Sequence, residues 1–243
     1  MSQRLLFLLL CAFTLLSMSA LAVDGVVLIN QASVNAAGFP YHITQSGSYK
    51  LSSNLSAPSG INALVINADN VVLDLNGFSI TSTDTTCTAA QGSPVTSCVS
   101  HGASGVFSFN NNITIINGSI SGMSLGVGLE GSGNLVESVH FSGNNTGAEV
   151  NIGVVRRSTF ISNLKGLVVL RGVAQENIAA LNSVGVRANR SNVSGNTLSS
   201  NDTGLLTDQS NYGNNSFMLN AADVSASNGS TSQNNNNCSG TVC

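Results

Sequence analysis

Six of the eight Lys and Arg residues fall in one stretch: Arg156, Arg157, Lys165, Arg171, Arg187 and Arg190. Glu176 alone offsets them there, so this stretch carries +5 within a chain whose formal charge is −3. A guanidinium presents a planar fork that matches carboxylate and sulfate oxygens two at a time, so the cluster suits a polyanion such as a uronate or sulfated glycan. Arg171 and Arg190 are 19 residues apart, and so are Arg157 and Glu176. If 19 residues return the chain to the same place, the second pair makes a surface ion pair worth under about 1 kcal/mol. The first pair then stacks two like charges, at a cost of roughly 1 kcal/mol or less. A bound anion relieves that repulsion, and so do two solvated side chains splaying apart. Arg171, Arg190, Arg187 and Arg156 are the candidate ligand-binding residues.

Other chemistry is sparse. Asp69, Asp74 and Asp84 are the closest acidic group, but Asp69-Asn70 has the composition of a turn. His42, His101 and His140 are far apart and show neither metal nor triad spacing, and no GxSxG setting surrounds a serine. The sequence therefore assigns no catalytic residue and no metal site. It calls for no cofactor, and Ca²⁺ would enter only with lyase chemistry. Only 8% of residues are charged, and nothing in that balance points to nucleic acid.

The 19-residue spacing is a repeat. Gly147, Gly166, Gly185 and Gly204 open four segments of that length. Three columns stay mostly apolar: Ala148, Leu167, Val186, Leu205; Val155, Ala174, Val193, Tyr212; and Phe160, Ala179, Leu198, Phe217. Two polar columns run beside them: Asn144, Asn163, Asn182, Asn201, Asn220, and Asn177, Asn196, Asn215. Segments this rich in Gly, Asn, Ser and Val are poor helices, and the LxxLxLxxN core of leucine-rich repeats is missing. Three inward-facing columns fit an all-β solenoid, a right-handed parallel β-helix of about seven coils. Asn and Gly tolerate the left-handed backbone of its sharp turns. Equivalent Asn amides stacked at about 4.8 Å can each donate to the next carbonyl, forming a ladder without charge.

The elements that hold these columns follow in order. Residues 1–22 read as a cleaved signal peptide: a basic start at Arg4, an apolar run Leu5 to Met18, and small residues before the cut after Ala22. Residues 23–59 form an N-terminal cap with strands near Tyr41–Thr44 and Ser48–Leu51, because a solenoid must cover its open end. The coils occupy 60–222, with a surface loop inserted at 81–101. Residues 223–243 form an Asn/Ser-rich tail, loose around Asn234–Asn237. The cysteines after the leader are Cys87, Cys98, Cys238 and Cys243. An even count in an exported chain reads as disulfides; three pairings exist, and proximity favours Cys87–Cys98 and Cys238–Cys243. A four-cysteine metal site would lack any CxxC pair.

The stretch FPYHITQSGSYKLSSNLSAP, followed by ALVINADNVVLDLNGFSI, resembles the opening of exported bacterial β-helix proteins of the pectate-lyase-like superfamily. The resemblance implies the fold over most of the chain and leaves the activity open, because one fold carries many functions. Of the polygalacturonase-like hydrolase motifs only Ser100-His101-Gly102 resembles one, and the others are absent downstream. The expected function is a secreted or periplasmic protein that binds glycan or a surface partner, with an extracellular polysaccharide as partner and no membrane span. The alternative is a lyase or hydrolase acting on acidic glycans. An ice-binding solenoid would need a flat threonine array, of which only Thr81-Ser82-Thr83 gives a hint.

Overall fold

The computed structural model describes residues 25–239 and the strand Thr241–Val242; residues 1–22, expected to be a signal peptide and including Cys11, and Cys243 lie outside the described residues. The chain winds into a parallel β-solenoid with one long face and two short ones. The long face is a nine-stranded parallel sheet: Tyr41–Ile43, Leu64–Ile66, Ser104–Ser108, Leu125–Leu129, Thr146–Asn151, Lys165–Leu170, Val184–Asn189, Thr203–Asp208 and Ala222–Ser227. An eighteen-stranded sheet bends over both short faces. The strand Asn134–Ser142 makes the bend visible, pairing with Gly153–Arg156 on the first short face and with Thr159–Ile161 on the second.

The three apolar columns point inward. Ala148, Leu167, Val186 and Leu205 are buried behind the long face, Val155, Ala174 and Val193 behind the first short face, and Phe160, Ala179, Leu198 and Phe217 behind the second. Phe141 and Phe160 stack with centroids 4.9 Å apart, so even the aromatic core obeys the rung spacing. The glycine column opening each repeat is needed for close approach rather than for dihedral freedom. A Cβ on Gly166 would lie 2.5 Å from the Gly185 carbonyl oxygen one coil on.

Each regular coil turns three corners, and each corner places one residue in the left-handed region. The first corner uses Ile152, Arg171, Arg190 and Gln209, the second Arg157, Glu176, Gly195 and Asn214, and the third Ser162, Leu181, Ser200 and Leu219, with φ between 45° and 68°. The ladder asparagines are thus not the left-handed residues. They come immediately after them and turn their side chains inward. Asn144, Asn163, Asn182, Asn201 and Asn220 stand one above another, each Nδ2 donating to the next Oδ1 at 3.0–3.1 Å. The same Oδ1 also accepts the backbone N–H of the asparagine before it, and Nδ2 donates back to a carbonyl such as Phe160 O from Asn182. A second ladder runs Asn177, Asn196, Asn215, Asn236 at the second corner. Serine replaces asparagine at the first corner, where Ser191 and Ser210 hydroxyls accept the N–H of Gly172 and Ser191.

Two boundaries differ from the sequence expectation, and with them the coil number. Nine strands stack on the long face, not seven. At the N-terminus, Tyr41–Ile43, Gly47–Leu51 and Leu55–Ala57 already pair in parallel with the next coil, so they form a coil of their own. The cap above them is the strand Val26–Ile29 and helix α1 (Gln31–Ala37), which buries Val34 and is closed by a capping box between Asn30 and Ser33. At the other end, Ala222–Ser227 adds the last long-face strand, and Asn236 is buried at the foot of the second ladder rather than loose.

The insertion is a hairpin. Thr85–Thr88 and Ser97–Ser100 pair antiparallel, with Cys87 opposite Cys98 and bonded to it. Its tip runs down the third corner, where Val95 is buried and its N–H donates to Leu181 O at 3.1 Å. At its root the buried Asp84 carboxylate accepts the N–H groups of Gly60, Ala103 and Ser124, binding three coils together. Cys238 is also disulfide-bonded; its expected partner, Cys243, lies outside the described residues. No helix among the described residues is long and apolar enough to cross a membrane.

Removing an interior ladder amide orphans buried donors and acceptors on both adjacent coils, each unsatisfied group costing about 1–3 kcal/mol. Asn182→Ala is therefore expected to lower unfolding free energy by about 3 kcal/mol or more in urea titrations. Asn220→Ala, at the partly exposed end, should cost about half as much; equal losses would show that the ladder does not act as a buried network.

Candidate functional site

The coil register sorts the basic residues onto different surfaces. Arg156 ends the strand Gly153–Arg156 on the first short face, directly across from Glu137. Its Nε and Nη2 donate to Glu137 Oε2 at 3.1 and 2.9 Å. Arg157, on the second corner, donates to Glu137 Oε1 and lies 3.7 Å from Glu176 Oε2. One carboxylate thus serves two guanidinium groups. Hydrogen bonding from Arg157, then from Arg156, holds the Glu137 carboxyl below the usual carboxylate range against the opposing effect of burial.

Arg171 and Arg190 occupy the first corner on adjacent coils, with the Arg171 N–H donating to Asn189 O at 2.8 Å. Their side chains part. Arg171 Nε and Nη2 reach back to Asn151 Oδ1 at 3.3 and 3.0 Å, and Arg190 Nε reaches onward to Gln209 Oε1 at 2.7 Å. Splaying relieves their repulsion, and both guanidinium groups rest on neutral amides. Arg187 projects from the long face between Val168 and Leu206 and is exposed. Among the described residues Arg171, Arg187 and Arg190 make no salt bridge.

The residues that come together are Arg156 and Arg171. They line one shallow furrow of about 430 Å³ on the first short face, with Gly153 and Gly172 on its floor. A Cβ on Gly153 would lie 2.6 Å from Asn134 O, so close coil packing keeps that floor bare. Arg190 sits one coil further along the same corner, while Arg187 faces another side.

The acidic candidates do not converge. Asp69 accepts from Asn111 N at 2.8 Å and Asn110 Nδ2 at 3.2 Å, which lowers its carboxyl below the ordinary value. Asp74 faces Lys50 at 3.5 Å, and Asp84 is the buried clamp at the insertion. His42 Nδ1 lies 2.8 Å from Asn67 Oδ1, His101 Nδ1 lies 2.9 Å from Asp84 O, and His140 is exposed on the second short face.

A further set of groups emerges only from the register. On the long face Phe107 lies opposite Gly128, and Gly128 opposite Glu149. Glu130 follows Leu129, and Asn151 follows the paired Val150. Phe107 and Phe109 meet edge to face with centroids 4.8 Å apart, and Phe109 is 74% exposed. Burial, and then the charge of Glu149, push the Glu130 carboxyl up. The signal in the sequence was the 21-residue step from Gly126 to Gly147, which sets Glu130 beside Asn151 rather than above Glu149.

A carboxyl held low in the folded state adds stability above its unfolded value and loses it as pH falls through its folded value. Glu137→Gln is expected to destabilise by about 1 kcal/mol or less at neutral pH, as an exposed network allows. The difference from the parent should vanish by about pH 2, where both forms are uncharged. Urea midpoints across that range measure it, and a constant difference would detach the effect from Glu137 ionisation.

No protein-family model matches the chain, and no curated protein sequence matches it. Among solved structures it is similar to the enzymatically active domain of bacteriophage CBA120 tailspike protein 2, at 14% identity and a TM-score of 0.37, over 85% of this chain and 42% of that one. It is similar also to the A-module of the Azotobacter vinelandii mannuronan C-5 epimerase AlgE4, at 13% identity and a TM-score of 0.35, over 86% of this chain and 94% of that one. The chain spans less than half the length of the tailspike domain.

Proposed function

We propose that this chain is an exported β-helix protein of the pectate-lyase-like kind that binds an anionic glycan at its first corner. The observation that carries the reading is the set of three arginines, Arg171, Arg187 and Arg190, on two adjacent coils of a net acidic chain without a carboxylate partner among the described residues. Arg156 and Arg157, by contrast, share the Glu137 carboxylate. Arg171 and Arg190 instead stand on neutral amide oxygens, which orient the guanidinium without neutralising it. Arg171 and Arg190 start from backbone positions one coil, about 4.8 Å, apart, and their splayed guanidinium groups would meet well-separated carboxylates or sulfates of a polymer laid along the solenoid axis. The furrow with Arg156 extends that track onto the first short face. Export is supported by the Cys87–Cys98 disulfide, a bond that persists in oxidising compartments.

Affinity electrophoresis through gels containing polygalacturonate, alginate or heparin tests the reading. Retardation is expected at low ionic strength and should fade as salt screens the contacts. The Arg171→Ala, Arg190→Ala double variant should lose most of it while keeping the parent's unfolding midpoint. Unretarded migration of the parent protein in all three gels would overturn the proposal.

A further inference from the structure

The long face carries its charge in a pattern that fits a second copy of itself. One outward column runs Phe107, Gly128, Glu149, Val168, Arg187, Leu206, each residue opposite the next on the following coil. Glu149 and Arg187 are its charged members, one coil to either side of Val168. Two rungs, about 10 Å, separate them, and neither makes a salt bridge among the described residues. Around them the face is rich in apolar side chains. Val168 points outward between the buried Leu167 and Val169, yet is only 5% exposed. Leu170, Val184 and Leu206 are half-buried on the same three coils. Phe107 and Leu125 lean over Gly128, where a Cβ would lie 2.9 and 2.6 Å from their side chains. Phe109, braced edge to face by Phe107, leaves 74% of its surface in water.

A two-fold axis perpendicular to the face through Val168 lays a second copy on the first with its strands antiparallel. Glu149 of each copy then stands against Arg187 of the other, so one complementary pair is made twice, as isologous contacts require. Val168 meets Val168, Leu206 meets the apolar patch over Gly128, and the exposed Phe109 ring falls beside Ala222. The register is specific. Displacing one copy by a single coil would set Glu149 against Val168 or Leu206 and lose both pairs. The seven strands from Ser104–Ser108 to Ala222–Ser227 overlap, with Lys165–Leu170 at their centre. They present about 600 Å² of flat face on each copy, close to the roughly 800 Å² of accessible surface that each partner of a stable pair buries. We propose that two copies of this chain associate through their long faces, antiparallel about Val168, held by Glu149, Arg187 and the apolar residues around them. The pairing goes beyond the glycan reading. Arg187 gains in it the carboxylate that it lacks within one chain, while Arg171 and Arg190 stay at the corner, on the margin of the covered face, for the ligand.

Light scattering across a dilution series of the full chain tests the pairing. Twice the monomer mass is expected at high concentration, falling to the monomer on dilution. Glu149→Arg and Arg187→Glu each set like charges face to face at two places, and each should weaken association about ten-fold or more. The exchange variant carrying both substitutions restores opposite charges in the same register and should regain the parent's dimer. Circular dichroism spectra matching the parent's separate lost association from lost fold. The Arg171→Ala, Arg190→Ala variant should remain dimeric, so a failure of glycan binding and a failure of pairing are read apart. A parent that stays monomeric at every concentration would overturn the proposal. So would a dimer indifferent to both single reversals, or one that the exchange does not restore.

Discussion

Each corner of the coil sets a local cost against a neighbour's side chain. Holding a non-glycine residue in the left-handed region costs about 1 kcal/mol, and each regular coil does so at nearly all of its three corners. The residue after each corner offsets that cost. At the third corner its amide accepts two N–H groups from the coil before, donates to a carbonyl, and donates again to the amide of the coil after. Those bonds close only if successive coils are one rung apart and in register. The ladder is thus the constraint from which the triangular section follows, along with the 19-residue period and the glycine column that permits close stacking. A solenoid of this kind is specified by what one coil does for the next.

The same lattice sets the electrostatics. Amides satisfy buried polar groups without charge, so few charged residues are needed anywhere. Those present stand at outward positions, where the residue one coil away decides their fate. Glu137 falls opposite Arg156 and beside Arg157 and binds both. Arg171 and Arg190 have no acid in register and turn in opposite directions to neutral partners. Identical geometry therefore gives a closed ion cluster on one face and open cations at a corner a few residues away. The difference lies in which residue type occupies the next coil.

The regular coils were legible because their period is constant from Gly147 on. Every inward column named from that spacing faces the core between 147 and 217, Tyr212 only partly. The first coils were not legible, because steps of 23 residues from Tyr41 to Leu64 and 42 from Leu64 to Val106 hide the register, nor was the last, where the step lengthens to 20 from Asn211 to Thr231 and 21 from Ser216 to Asn237. The turn chemistry was misread for a different reason. Asn and Gly were expected in the left-handed positions, but Ile152, Leu181 and Leu219 are found there. A ladder that forces the corner makes the identity of the corner residue nearly irrelevant. Glu130 and Glu149 were missed through the period itself. They are 19 residues apart, which suggests one column, but the step there is 21, so Glu149 lies opposite Gly128 and Glu130 falls beside Asn151.

Regularity bears on function through what it leaves free. Inward columns, corners and ladders are occupied by the needs of the coil, so any ligand must be met by outward residues. The insertion hairpin walls no groove beside the arginines, because it lies along the third corner and they stand at the first. The exposed arginines instead stand at the first corner and on the long face beside it. Asn151 braces that corner from the coil before: its side-chain oxygen holds Arg171 and its amide nitrogen reaches the Glu130 backbone. Gln209 does the same for Arg190 from the coil after. The coil register that holds the fold thereby also fixes where the two guanidinium groups stand.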